Sequence, residues 1–193
     1  RSEGAGRLER GAMPPGEACA YPDSLAAPSS GSLWLACGTG DGQQAPSLWR
    51  RGPRADDGWT AVALPESREV WDLAVGPDGT VWAATYDIAY RMTPEGWARA
   101  ATTRGPDDRP IHRIDFDRDG AAWLLEGYRG VVVQPRIGSA RSIAGLSSGW
   151  VRTLAPDPDG GMWIGTDKGF GYVDPDGGVT NGTVPAPPST PDG

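Results

Sequence analysis

The chain has 193 residues, enough for one substantial core, and carries 29 glycines, 19 prolines and nine tryptophans. The tryptophans, and the fall of Gly and Pro between apolar runs instead of in tracts, exclude a disordered chain and point to many short strands. A net charge of −7, from 25 acids and 18 bases with no basic run, argues against nucleic acid as a partner, and no stretch reaches the roughly 18 apolar residues of a membrane-spanning helix.

Taken in order, residues 1–18 read as an N-terminal segment in which 8–13 is expected to form a closing strand. The opening Arg1 suits a processed chain or a fragment. From Cys19 onward one pattern recurs four times: Ser30-Gly31-Ser32-Leu33-Trp34, Asp78-Gly79-Thr80-Val81-Trp82, Asp119-Gly120-Ala121-Ala122-Trp123 and Asp159-Gly160-Gly161-Met162-Trp163. The tryptophans stand 48, 41 and 40 residues apart, and an aliphatic (Leu25, Leu73, Ile114, Leu154) lies six residues before each glycine. First strands are predicted at 70–76, 111–117 and 151–157, ahead of the Asp-Gly turns, where glycine tolerates the positive φ of a tight hairpin. Second strands, at 33–36, 81–85, 122–125 and 162–166, carry the tryptophans. Third strands follow at 47–50, 88–92, 131–134 and 170–173. Fourth strands fall at 59–64, 97–102 and 140–143, with a vestigial one around 179–184.

Four antiparallel strands per forty residues, in tandem, predict an all-β chain: a β-propeller of about four blades, either closed or part of a larger ring. The propeller is expected over 19–184, with blades at about 20–66, 69–104, 110–147 and 150–184, followed by a Pro-rich tail at 185–193. Trp34, Trp82, Trp123 and Trp163 are expected to fill the space between stacked blades. Cys19 and Cys37, the only cysteines, suit one disulfide in a secreted protein; the alternative is two separate thiols, with Cys37 buried in its strand.

Residues 151–170 resemble the two-component-regulator propeller repeat, in which an Asp-Gly turn precedes a Trp-aliphatic-Gly-Thr strand, here Trp163-Ile164-Gly165-Thr166. Trp82-Ala83-Ala84-Thr85 keeps the threonine, Trp123-Leu124-Leu125-Glu126 keeps only the tryptophan, and Trp34-Leu35-Ala36-Cys37 is read with its cysteine at the glycine position. The resemblance implies a sensor region of a bacterial kinase, or a free-standing secreted or periplasmic propeller. It extends to streptogramin-lyase-like propellers, which use several histidines and a metal, whereas this chain has only His112.

Alignment of the units puts Asp23, Trp71, His112 and Arg152 at one equivalent position, at the start of each first strand. An acid, an aromatic, an imidazole and a guanidinium in one place are not what a core requires, so they are candidates for ligand contact around a central channel. The loops between second and third strands add Tyr86, Asp87, Tyr128, Arg129, Asp167 and Lys168; in the first unit this loop is longer, at 38–44. The alternative is a solvated loop face. Asp115, Asp117 and Asp119 alternate like a calcium loop but lack its closing glutamate, and are read as turn and strand-end acids. No metal or other cofactor is expected. The resulting expectation is a non-catalytic extracellular or periplasmic module that senses or binds a protein, a peptide or a small polar ligand. The rival is a metal-dependent lyase or lactonase on the same scaffold, with Asp23, His112 and neighbouring acids holding a divalent metal.

Overall fold

The computed structural model describes residues 14, 19, 21–38, 47–54, 56–66, 69–102, 110–126 and 130–183. The expected strand at 8–13 and the tail at 185–193 lie outside them. Sixteen strands form four antiparallel sheets of four, each in simple chain order among the described residues. The first sheet comprises β1 (Tyr21–Ala26), β2 (Leu33–Gly38), β3 (Leu48–Arg51) and β4 (Trp59–Ala61). The second has β5 (Asp72–Val75), β6 (Val81–Ala84), β7 (Ile88–Thr93) and β8 (Gly96–Thr102). The third has β9 (Arg113–Phe116), β10 (Ala122–Leu125), β11 (Val131–Gln134) and β12 (Arg141–Ser142). The fourth has β13 (Val151–Pro156), β14 (Met162–Thr166), β15 (Gly169–Val173) and β16 (Val179–Gly182). The fourth strand of the last unit is therefore regular, pairing Val173 with Val179 through Phe170 with Gly182, and the shortest outer strand is β12 of the third unit.

The Asp-Gly signal acts as the sequence implies. Gly79, Gly120 and Gly160 take φ of +80°, +81° and +109°. In the second sheet the Gly79 N–H closes onto the Gly76 carbonyl and the Gly76 N–H bonds the Thr80 carbonyl, so the turn ends in the left-handed conformation that glycine adopts without strain. The aspartates supply the second half of each turn: the Asp78 carboxylate accepts the Thr80 N–H, and Asp117 accepts the Ala121 N–H with one oxygen and the Trp123 indole N–H with the other, at 2.8 Å. Asp115 is paired with Arg113. Two acids of the apparent calcium loop are thus committed to strand and turn geometry. Among the described residues no cluster of three or more His, Cys, Asp or Glu could hold a metal ion.

The sheets stack through their flat faces, with β1 beside β5, β5 beside β9 and β9 beside β13. In the first three sheets one face of the second strand presents its tryptophan to the next sheet; in the last three the other face presents small or aliphatic residues to the previous one. Trp34 meets Trp97 of the second sheet edge-on at 5.5 Å, and Trp82 meets Phe116 of the third in the same way at 5.5 Å. Trp123 is buried with Val151, Leu154, Met162 and Ile164 of the fourth. Trp163 departs from the expectation: it is 43% exposed, against 4% for Trp123, and touches only Phe170 and Tyr172 of its own sheet among the aromatics. The opposite end mirrors it. Leu73, Ile114 and Leu154 are buried, whereas the equivalent Leu25 is 60% exposed. The reason is common to both: among the described residues the four sheets form an open arc, in which no further blade covers the last tryptophan or the first aliphatic.

Cys19 and Cys37 form a disulfide. The bond ties Cys19 over Leu35 and Trp49 on the outer face of the first sheet. Strand register corrects the alignment of this unit. Ser24 pairs with Ala36 as Thr153 pairs with Gly165, so Ala36 holds the glycine position and Cys37 that of Thr166. Where threonine is present its hydroxyl bonds across the following hairpin, Thr85 to the Ile88 carbonyl and Thr166 to that of Gly169.

Candidate functional site

The four aligned positions lie where the first strands begin, at the end of the arc opposite the Asp-Gly turns. A feature of the backbone sets their side chains apart. In β1 the register slips between Pro22 and Ser24, and in β13 between Val151 and Thr153, which makes Asp23 and Arg152 the extra residues of two β-bulges. A bulge takes a side chain out of the pleat alternation and re-aims it. Gly38 lies opposite the first bulge, and a Cβ there would sit 2.7 Å from the Asp23 carboxylate. In the two middle sheets Trp71 and His112 stand just before β5 and β9, anchored by N–H bonds to the Ala84 and Leu125 carbonyls, 2.8 Å each.

Asp23, Trp71 and His112 line one open groove of about 460 Å³ that runs along the inner strands with Asp72, Arg113 and Asp115. Trp71 and His112 meet edge-to-face at 5.6 Å, and Trp71 keeps 39% of its surface exposed. Arg152 lies away from this groove. Its guanidinium sits 5.3 Å above the ring of Trp150, another exposed aromatic, whose carbonyl accepts the Asp167 N–H. Asp167 and Lys168 are exposed in the β14–β15 loop, and Tyr86 is exposed between β6 and β7. The adjoining Asp87 is buried, so it does not offer its side chain to the loop face as expected. Tyr128 and Arg129 lie outside the described residues.

Two residues of this region escaped sequence reasoning. Trp150 follows Gly149 just ahead of a first strand, and its signal was an unassigned tryptophan outside the repeat. Asp72 gave no signal beyond its place next to Trp71. Asp72 joins three sheets: one oxygen accepts the Ser24 hydroxyl of β1 at 2.8 Å and the other accepts the Ile114 N–H of β9 at 2.8 Å. The same Ser24 oxygen accepts the Leu73 N–H. Burial between the strands raises the Asp72 carboxyl above its usual range, against the lowering effect of these hydrogen bonds and of Arg113.

The sign for stability follows. An acid whose folded pKa exceeds its unfolded value of about 3.8 holds its proton more tightly when folded, so stability falls as pH rises from that value through the raised one. Asp72→Asn can keep both contacts, its oxygen toward Ile114 and its amide toward Ser24. That variant is expected to fold with near-native stability and a flatter dependence between mildly acidic and neutral pH. Asp72→Ala leaves the Ile114 N–H without its acceptor and is expected to cost about 1–3 kcal/mol. Urea melts of both variants across that pH range measure the difference.

His112 is the only histidine in the chain, and its desolvation lowers the imidazole pKa below 6.5. It therefore faces the groove as a neutral group at pH 7, with one nitrogen free to donate and the other to accept. A single imidazole C2–H resonance titrating with a midpoint below 6.5 is expected in a proton NMR titration. A midpoint at or above 6.5 would contradict the burial of its Trp71 side.

Four-stranded antiparallel sheets stacked face to face around their first strands, with side chains gathered where those strands begin, define a β-propeller arc. Residues 145–168 match the two component regulator propeller family. A comparison with curated protein sequences finds no significant match. Among solved structures, the virginiamycin B lyase of Staphylococcus aureus superposes with a TM-score of 0.70 at 19% identity over 90% of this chain and 58% of the lyase. The extracellular domain of a hybrid two-component system from B. thetaiotaomicron superposes with a TM-score of 0.58 at 17% identity, over 83% of this chain and 24% of that one. PorZ, a surface component of the type-IX secretion system of Porphyromonas gingivalis, gives a TM-score of 0.60 at 15% identity, over 79% and 25%. At these identities the likeness is one of fold. The chain spans a little over half the length of the lyase and about a quarter of the other two.

Proposed function

We propose that this chain is a non-catalytic sensing or interaction module, working outside the cytoplasm, that binds a small polar ligand, a peptide or a protein segment through the face where its first strands begin. The observation that carries the reading is the variation at one structurally equivalent position: Asp23, Trp71, His112 and Arg152 occupy the same place in four copies of one scaffold, two of them on bulges. The repeat tryptophan and the aliphatic of each first strand are apolar in every copy, whereas this position is chemically different each time, as a surface shaped for an asymmetric partner requires. Exposed Trp71, Tyr86 and Trp150 add rigid contact area beside it. The disulfide suits an oxidising compartment, and the extracellular setting of the B. thetaiotaomicron domain is in keeping with it.

The test is a ligand screen and pull-down with Trp71→Ala, His112→Ala and Arg152→Ala. Each is expected to weaken capture of whatever the native chain retains while leaving its melting curve close to native. Undiminished capture by all three would sink this site. Stoichiometric Mg, Ca or Zn in the purified protein would instead favour a metal-dependent lyase or lactonase on the same scaffold.

A further inference from the structure

On the opposite face, at the Asp-Gly turns, a separate cleft of about 250 Å³ opens between the second and third sheets. Its floor is the edge-to-face pair Trp82 and Phe116, and Arg91, Arg99 and Arg136 come to its rim from β7, β8 and the turn after β11. Three guanidinium groups around one small cleft run against the charge of a chain that is −7 overall.

Comparison of the four copies shows that the scaffold does not require them. The residue paired with each repeat tryptophan on the third strand is Arg50, Arg91, Val133 and Tyr172 in turn. In the first sheet Arg50 is spent on its own tryptophan, 5.3 Å above the Trp34 ring. The turn that carries Arg136, in Gln134-Pro135-Arg136, reads Thr93-Pro94-Glu95 in the second unit and Asp174-Pro175-Asp176 in the fourth. An acid stands there in both neighbouring units, so Arg136 inverts the charge of its position. Its side chain lies along Gly120, where an added Cβ would come within 3.2 Å of it.

Two acids bear on these groups. Glu66 pairs with Arg99. Asp78 spends one oxygen on the Thr80 N–H, which is the main reason its carboxyl lies below the usual range, with Arg136 contributing more weakly. Among the described residues, three guanidiniums against these two carboxylates leave one positive charge beside the aromatic pair.

We propose that this cleft binds a small organic anion, a carboxylate attached to a planar ring, with the ring on Trp82 and Phe116 and the carboxylate between Arg91 and Arg136. Guanidinium matches carboxylate in planar, two-pronged geometry. A volume of about 250 Å³ lies just below the range of drug-sized sites, which limits the occupant to a single small ring. The site is independent of the strand-start face, so either can fail without the other.

Benzoate, benzamide and inorganic sulfate are the probes. The readout is the 19F resonance of Trp82 in protein labelled with 5-fluorotryptophan, assigned by its disappearance in Trp82→Phe. Benzoate is expected to shift that resonance saturably, and benzamide, which keeps the ring but loses the charge, to bind ~10-fold or more weakly. Arg91→Gln and Arg136→Gln are each expected to lose a similar factor for benzoate, while the exposed Arg54→Gln leaves it unchanged. Equal binding of benzamide, equal binding of sulfate, or no saturable shift at Trp82 would overturn the proposal. Circular-dichroism melts of each variant identify any loss that comes from misfolding, and Arg91→Lys, expected to restore part of the affinity, provides a folded control.

Discussion

Replacing Trp123 by alanine is expected to lower the free energy of unfolding by about 3–5 kcal/mol, whereas the same change at Trp163, its repeat equivalent, is expected to cost about 1 kcal/mol. The sequence motif is the same at both sites; the surroundings are not. Trp123 is 4% exposed, is held by the Asp117 carboxylate at its indole nitrogen, and fills the space against Val151, Leu154, Met162 and Ile164 of the next sheet. Its removal opens a cavity between two rigid sheets that cannot collapse onto it, and leaves Asp117 with one oxygen unpaired. Trp163 is 43% exposed, and its ring contacts are with Phe170 and Tyr172 of its own sheet. Urea denaturation followed by far-UV circular dichroism measures both. A loss at Trp163 as large as that at Trp123 would mean that another surface covers the far side of the fourth sheet in solution, and so would overturn the open arc.

Breaking the disulfide is expected to cost about 3 kcal/mol, because Cys19 and Cys37 close a loop of 18 residues. For a chain of this size that corresponds to a fall of about 6–12 °C in Tm. Cys37 is fully buried beside Leu35 and Trp49, so the substitution that tests the bond without opening a cavity there is Cys19→Ala. The melt of the native chain in reductant is expected to coincide with that of Cys19→Ala, which in turn ignores reductant. A reductant effect that persisted in Cys19→Ala would refute the assignment of the stabilisation to this bond. Among the described residues no blade covers the outer face of the first sheet, where the bond lies. Cys19 packs there against Leu35 and Trp49.

The repeat made most of this architecture legible before any coordinates. Asp-Gly at fixed spacing gave the hairpins because glycine alone reaches φ near +80° without strain, and alternation on either side of it gave the strands. The same register made Asp23, Trp71, His112 and Arg152 comparable, and the structure does set all four at the strand starts. It brings only three of them to one groove, since Arg152 turns instead to Trp150. Asp87 is buried despite its loop position, and the outer strand expected to be weakest, at 179–184, is better paired than β12. Each of these differences depends on partners distant in the chain, and a local pattern carries no record of such partners.

By itself, then, the sequence determined what is set by local conformational preference: turn positions, strand order, the common register, and which face of each strand is apolar. The tertiary structure decided everything that depends on what lies across an interface. Leu25 and Trp163 match their equivalents in sequence yet stand exposed, because burial belongs to a pair of sheets and among the described residues each of these has only one. Asp23 and Arg152 owe their direction to bulges, which arise from strand pairing and not from either residue. Arg91 and Arg99 come together through the β7–β8 pairing, and Arg136 joins them in one cleft only because two blades stack.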